Sequence, residues 1–227
     1  MFLMNRIFQL NHCRYWVVGF FIICSSIIPN SMIVDRNISR DENNRTEFSI
    51  NNFDNEEDNH FMNSSFENYF NVEESNWQQL PASWDGYPHM NNMDIIMDGE
   101  DLGFGAGVFL SIHGSAALKI WGLYDGENTE NNVFQSWYDS TLPPGTQFEI
   151  STYIMSPDGD FIGDGNNYAV LFAKYFTSDW ELLGMETSEQ FNSENAIADE
   201  WYNLEAYFEV PNEASIVQVG FNVCPGN

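Results

Sequence analysis

Carboxylates, amides and aromatic rings are the groups in this chain whose types and spacing could do chemistry. Asp158, Asp160, Asp164 and Asn166 crowd one glycine-containing loop, and a short acidic loop of this kind can present several oxygens to Ca2+. Their spacing does not follow the EF-hand pattern, and the same residues suit a solvated turn. Tyr153 and Tyr207 fall on the outward register of two amphipathic segments, with Glu149, Glu205 and Gln218 as polar companions. Rings placed in this way stack on the apolar face of a sugar, while amides and carboxylates bond its hydroxyls. Trp84, Trp137 and Trp180 extend the candidate set from loops; the competing reading for each ring is burial in the core.

Catalysis has no comparable pattern. His12 lies in the apolar N-terminal region, while His60, His89 and His113 are isolated, and neither Gly-x-Ser-x-Gly nor His-Glu-x-x-His occurs. Among 34 acidic residues, carboxylate pairs arise by chance and identify no glycosidase. Gly103, Gly105 and Gly107 precede strand-like residues and do not open a helix that would cradle a phosphate. The chain is expected to bind, not to catalyse, and to need no organic cofactor.

Charge narrows the ligands. The formal net charge is -27, and the five arginines (Arg6, Arg14, Arg36, Arg40 and Arg45) all precede residue 46. Beyond them only Lys119 and Lys174 are basic. Such a surface repels phosphate backbones and anionic headgroups, which argues against nucleic acid as a partner. Neutral polysaccharides or glycans and divalent cations remain compatible with it.

The elements that must position these groups follow from hydrophobic patterning. Residues 15–34 form an uncharged stretch preceded by Arg6 and Arg14, the layout of a signal peptide. Cleavage after Ser26 is one outcome, and an uncleaved helix anchoring the chain in a membrane is another. A lipid-modified Cys24 is disfavoured by the bulky Ile23 before it. Residues 1–34 are therefore expected as a signal peptide or N-terminal membrane anchor, and the protein as secreted or displayed at the cell surface. Residues 35–62, acidic and Asn-rich with few aliphatics, read as a disordered linker.

Residues 63–227 read as one all-β domain, an antiparallel β-sandwich. Phe148, Ile150 and Ile154 alternate with Glu149, Ser151 and Tyr153, and Leu204, Ala206 and Phe208 alternate with Glu205 and Tyr207. Val217, Val219, Phe221 and Val223 supply a third half-buried strand. Asn167–Phe176 is apolar on both faces, as a central strand would be. Pro143-Pro144-Gly145, Pro157-Asp158-Gly159 and Pro211-Asn212 punctuate these strands with turns. Cys13, Cys24 and Cys224 offer the domain no disulfide framework, and Cys224 is expected as a small buried side chain.

Four pieces in order carry a family resemblance. Asn63-Ser-Ser-Phe-Glu67 is similar to the opening of carbohydrate-binding modules of the galactose-binding-like jelly-roll class. His113-Gly-Ser-Ala-Ala-Leu118 resembles their His-Ser-Gly-x-x-Ala-Leu strand. Phe134-Gln135, Pro144-Gly145 and Phe148 resemble the strand, turn and strand that follow, and Trp201, Leu204 and Pro211 resemble the Trp-x-x-Leu strand and its turn. The resemblance implies a jelly roll that binds carbohydrate and a structural calcium ion with Glu67 as one ligand. It also implies a closing strand with paired aspartates, which has no counterpart before Asn227. A truncated product or fragment, with an edge or gap in one sheet, is the corresponding expectation.

Overall fold

Alternation of apolar and polar residues folds this chain into strands whose buried faces meet across a common core. The computed structural model describes residues 20–29, 61–72, 78–87, 92–102, 107–112, 114–121, 131–138 and 142–224. Its strands are β1 (Phe20–Pro29), β2 (Tyr69–Asn71), β3 (Gln79–Pro81), β4 (Asp85–Tyr87), β5 (Met93–Met97) and β6 (Ala116–Ile120). They continue with β7 (Asn131–Tyr138), β8 (Gln147–Met155), β9 (Tyr168–Phe176), β10 (Leu182–Thr187), β11 (Tyr202–Glu209) and β12 (Ile216–Cys224). Two five-stranded antiparallel sheets result, ordered β11-β8-β1-β6-β5 and β10-β9-β12-β7-β4, with β2 and β3 as a small separate pair.

The expected alternation appears in the packing. Phe148, Ile150 and Ile154 of β8 and Leu204, Ala206 and Phe208 of β11 face Val217, Val219, Phe221 and Val223 of β12 in one buried cluster. Each such side chain contributes roughly 1.5–3 kcal/mol on leaving water. β9 is central, between β10 and β12, which accounts for its two apolar faces. Cys224 is a buried free thiol. A second cluster of Ile96, Leu102, Phe109, Ala117 and Met155, joined by Ile112 and Trp201, covers part of the outer side of the first sheet.

Two expectations change at the N-terminal side. Phe20–Pro29 lies inside the stretch expected to be helical, yet it is a strand that pairs antiparallel with both β6 and β8. Phe20, Phe21, Ile22 and Ile23 are aromatic or β-branched, and such a run suits a strand flanked on both sides as well as it suits an apolar helix. Among the described residues no helix is long and apolar enough to cross a membrane. Most of the expected linker lies outside the described residues, but its last two positions belong to the sandwich. Phe61 is buried against Trp84 and Trp137, and the Met62 backbone exchanges hydrogen bonds of 3.1 and 2.6 Å with the Gln135 side chain.

Candidate functional site

The outer side of the second sheet brings polar and aromatic side chains from four strands together. On β9, Ala169, Leu171, Ala173 and Tyr175 join the core, so Val170, Phe172 and Lys174 take the opposite face. The same parity turns Gln218, Gly220 and Asn222 of β12, and Asn132, Phe134 and Ser136 of β7, to that outer face. Strand register then aligns them in three rows: Lys174, Gln218 and Ser136; Phe172, Gly220 and Phe134; Val170, Asn222 and Asn132. β4 adds Asp85 opposite Phe134 and Tyr87 opposite Asn132, while β10 adds Met185 opposite Lys174.

Gly220 makes the floor of this face. A Cβ there would lie 1.9 Å from the Val133 carbonyl oxygen and 2.6 Å from the Phe134 Cα, so only glycine fits between the strands. Phe172 and Phe134 therefore flank a position without a side chain. The Lys174 ammonium stands 4.9 Å from the Phe172 ring centroid, a cation–π placement. Gln218 Nε2 donates to Ser136 Oγ at 3.4 Å.

Asn132 is buried, and its Oδ1 accepts no hydrogen bond from the described residues. Leaving a buried acceptor unused costs about 1–3 kcal/mol. Tyr87, 66% exposed, stands at the side of this amide, and Tyr138 is exposed at the far end of β7. Val170, Phe172, Asn132 and Asn222 are buried, so the groups open on this face are Tyr87, Phe134, Ser136, Lys174 and Gln218. This set of rings, an amide, a hydroxyl and a cation suits a polyhydroxylated ligand with apolar ring faces.

The residues singled out from sequence are divided by the fold. Tyr153 and Tyr207 do share a face, because β8 and β11 pair with Tyr153 opposite Asn203 and Tyr207 opposite Glu149. They sit four ladder positions apart, and Tyr207, 65% exposed, lines a shallow cleft of about 390 Å³ with Gln147, Phe148, Glu186, Phe208 and Glu209. Gln218 is not beside them. It belongs to β12, so it lies on the other sheet, in the middle of the face described above.

The tryptophans also separate. Trp84 is 4% exposed and packs between Phe61, Phe66 and Phe221, with its Nε1 donating to the Asn63 carbonyl at 3.2 Å. Trp137, 6% exposed, is in the same core cluster. Both expected ligand contacts are therefore core residues, because their rings have more apolar area to bury than polar edge to keep wet. Trp180 is exposed at the β9–β10 turn, with φ +64 and its ring 5.6 Å from Phe176.

The acidic loop and Glu67 lie in separate places and are engaged in hydrogen bonds of the fold. Asp158–Asp160 and Ile162–Asp164 are two consecutive 3-10 turns, and the Asp158 N–H donates to Asp199 at 3.0 Å. Among the described residues no group of three or more His, Cys, Asp or Glu side chains comes together to hold a metal ion. Glu67 instead accepts from Ser115 N at 2.6 Å, Ser115 Oγ at 2.6 Å and Ala116 N at 3.2 Å, tying the start of β6 to the domain's opening segment. Gly114, at φ +70, leaves room for this carboxylate.

Burial sets the perturbed ionisations. Desolvation, then Glu186 whose carboxylate accepts the Tyr175 hydroxyl at 3.2 Å, pushes the Tyr175 phenol well above its ordinary value. Desolvation also raises Asp94 and lowers its ladder partner Lys119, whose Nζ donates to the Leu102 carbonyl at 2.8 Å.

Tyr87, Phe134, Phe172, Asn132 and Asn222 were not evident as a site from sequence. The alternation in Asn132-Val133-Phe134-Gln135-Ser136-Trp137 carried part of the signal, but only the register with β9 and β12 brings the face together.

No family model matches the chain, and none of the curated proteins matches it. Solved structures similar to it include the enzymatically active domain of tailspike protein 4 from bacteriophage CBA120. That likeness has 13% identity and a TM-score of 0.36, covering 63% of this chain and 17% of the tailspike chain. Another is the Clostridium thermocellum xylanase 10B fragment of CBM22-1 and GH10 modules complexed with xylohexaose. It gives 13% identity and a TM-score of 0.38, covering 63% of this chain and 25% of the other. The chain thus spans a quarter or less of these two solved chains.

Proposed function

We propose that this chain is a non-catalytic binding module of a secreted or cell-surface protein, and that the outer face of its second sheet takes a neutral polysaccharide. The observation that carries the reading is the placement of the half-buried Phe134, Lys174 and Gln218 and the exposed Tyr87 on one face of the second sheet. A sugar ring laid over Phe134 or Tyr87 would have the Gln218 and Lys174 donors within the same face. The strongly acidic remainder of the chain favours uncharged polymers over anionic ones.

Affinity electrophoresis through gels containing xylan, β-glucan, mannan or galactan tests this directly. Retardation by at least one polymer, abolished by Phe134→Ala and by Gln218→Ala in variants that still unfold cooperatively, is the expected result. Free migration in all four gels by a folded protein would refute it.

A second reading, a structural or adhesive domain binding protein, is favoured by β10. This edge strand carries the exposed Leu182, Leu183 and Met185, with exposed Trp180 just before it. Apolar edge strands pair with added strands, so concentration-dependent association lost on Leu183→Lys would support that reading.

A further inference from the structure

β1 is the middle strand of the first sheet, yet it is remote in sequence from both neighbours. Without it, β6 and β8 would stand two strand spacings apart, about 9–10 Å, beyond the reach of backbone hydrogen bonds. Each would then present a row of unpaired N–H and C=O groups inside a sheet. The core side of the space is mostly apolar, with Leu118, Ile120, Ile150 and Ile154 beside Thr152, while the outer side mixes Ala117 and Met155 with Lys119, Glu149, Ser151 and Tyr153. What fits there is an extended antiparallel strand whose core-facing side is apolar.

The occupant is held unevenly. Phe20–Ile22 pairs with β6, opposite Ile120, Lys119 and Leu118. Pairing with β8 runs from Phe21 opposite Met155 to Pro29 opposite Phe148, with an irregularity between Ser25 and Ile28. Most of the segment is thus held from one side only. The same residues wound into a bilayer helix would satisfy their backbone internally and could not pair here, so strand and membrane helix are exclusive fates.

We propose that the space between β6 and β8 is a strand-binding site, filled in cis by Phe20–Pro29 through non-covalent pairing and able to take that segment as a separate molecule. In this respect the domain is self-complemented, using the pairing mode by which sheets accept an added peptide strand.

The test uses the full chain with a protease recognition sequence inserted between residues 40 and 50. After cleavage, the N-terminal fragment should co-elute with the remainder in size-exclusion chromatography without detergent. On refolding, it should exchange for a labelled, lysine-tagged peptide of residues 18–31. Ile22→Pro in that peptide should weaken binding at least tenfold, because proline lacks the N–H and fits poorly in a strand paired on both sides. Separate elution of the fragment, with the remainder keeping the uncut unfolding midpoint, would overturn the proposal. So would equal binding of the two peptides. Reciprocal exchange of the segment between differently labelled copies, seen as a concentration-dependent dimer, would overturn the assignment in cis.

Discussion

Replacing Gly220 by alanine adds one methyl group at the point where β12 and β7 approach most closely. Its Cβ would meet the Val133 oxygen at 1.9 Å, the Phe134 Cα at 2.6 Å and the Val133 carbonyl carbon at 2.8 Å. All three are backbone atoms, so no side chain can rotate away. Relief to the 3.0 Å floor of real contacts needs about 1.1 Å of movement, which stretches adjacent ladder bonds from about 2.9 Å to about 4 Å. Two weakened bonds at about 1 kcal/mol each and overpacking of about 1–3 kcal/mol outweigh the ~0.4–1 kcal/mol gained from a stiffer unfolded chain. A net loss of about 3 kcal/mol corresponds to a fall in Tm of roughly 6–12 °C for a domain of this size. Urea unfolding should show a lower midpoint with an unchanged slope, and affinity for the polysaccharide should fall with it. A midpoint within about 1 °C of the parent would refute the claim that only glycine fits there.

Further outcomes follow from the same geometry. Glu67→Ala removes the acceptor for three hydrogen bonds from Ser115 and Ala116 and should cost about 2–4 kcal/mol in denaturant unfolding, with Glu67→Gln intermediate. Tyr87→Ala should weaken polysaccharide binding at least tenfold while leaving Tm unchanged, whereas Tyr207→Ala on the opposite sheet should alter it less than twofold by isothermal calorimetry. Trp137→Ala should lower stability by about 3–5 kcal/mol as a core deletion, measurable by thermal unfolding. Tyr175 has a raised folded-state pKa, so its contribution is fully present below the unfolded tyrosine value near 10 and is lost as pH rises above it. Urea midpoints measured from pH 8 to 11 should therefore decline steeply in the parent and less so in Tyr175→Phe.

The strands legible in the sequence were those with one buried face and enough length to show alternation. In β8, β11 and β12 the apolar residues recur at every second position, and the fold buries those positions. β2, β3 and β4 span three residues each, too few for a period to register. β1 was hidden for a different reason, since a run such as Phe20-Phe21-Ile22-Ile23 satisfies equally a helix surrounded by lipid and a strand walled on both sides.

Site residues were less legible than strands because a binding face depends on register between segments far apart in the chain. Asn132, Phe172 and Gly220 become neighbours only through the pairing of β7, β12 and β9. Aromatic identity alone misled for Trp84 and Trp137, whose rings close the core, while Trp180 lies at an exposed turn. Gln218 was correctly outward, but on the other sheet.

The central position of β1 also sets an order of events during synthesis. It leaves the ribosome first, while its partners Lys119 and Ile154 follow about 100 and 130 residues later. At about 5–20 residues per second, the segment waits roughly 5–20 seconds for β6 and roughly 6–26 seconds for β8. Throughout that interval it is an unpaired apolar run, open to chaperones or to a translocation channel. Closing the first sheet is therefore a late, long-range step of folding.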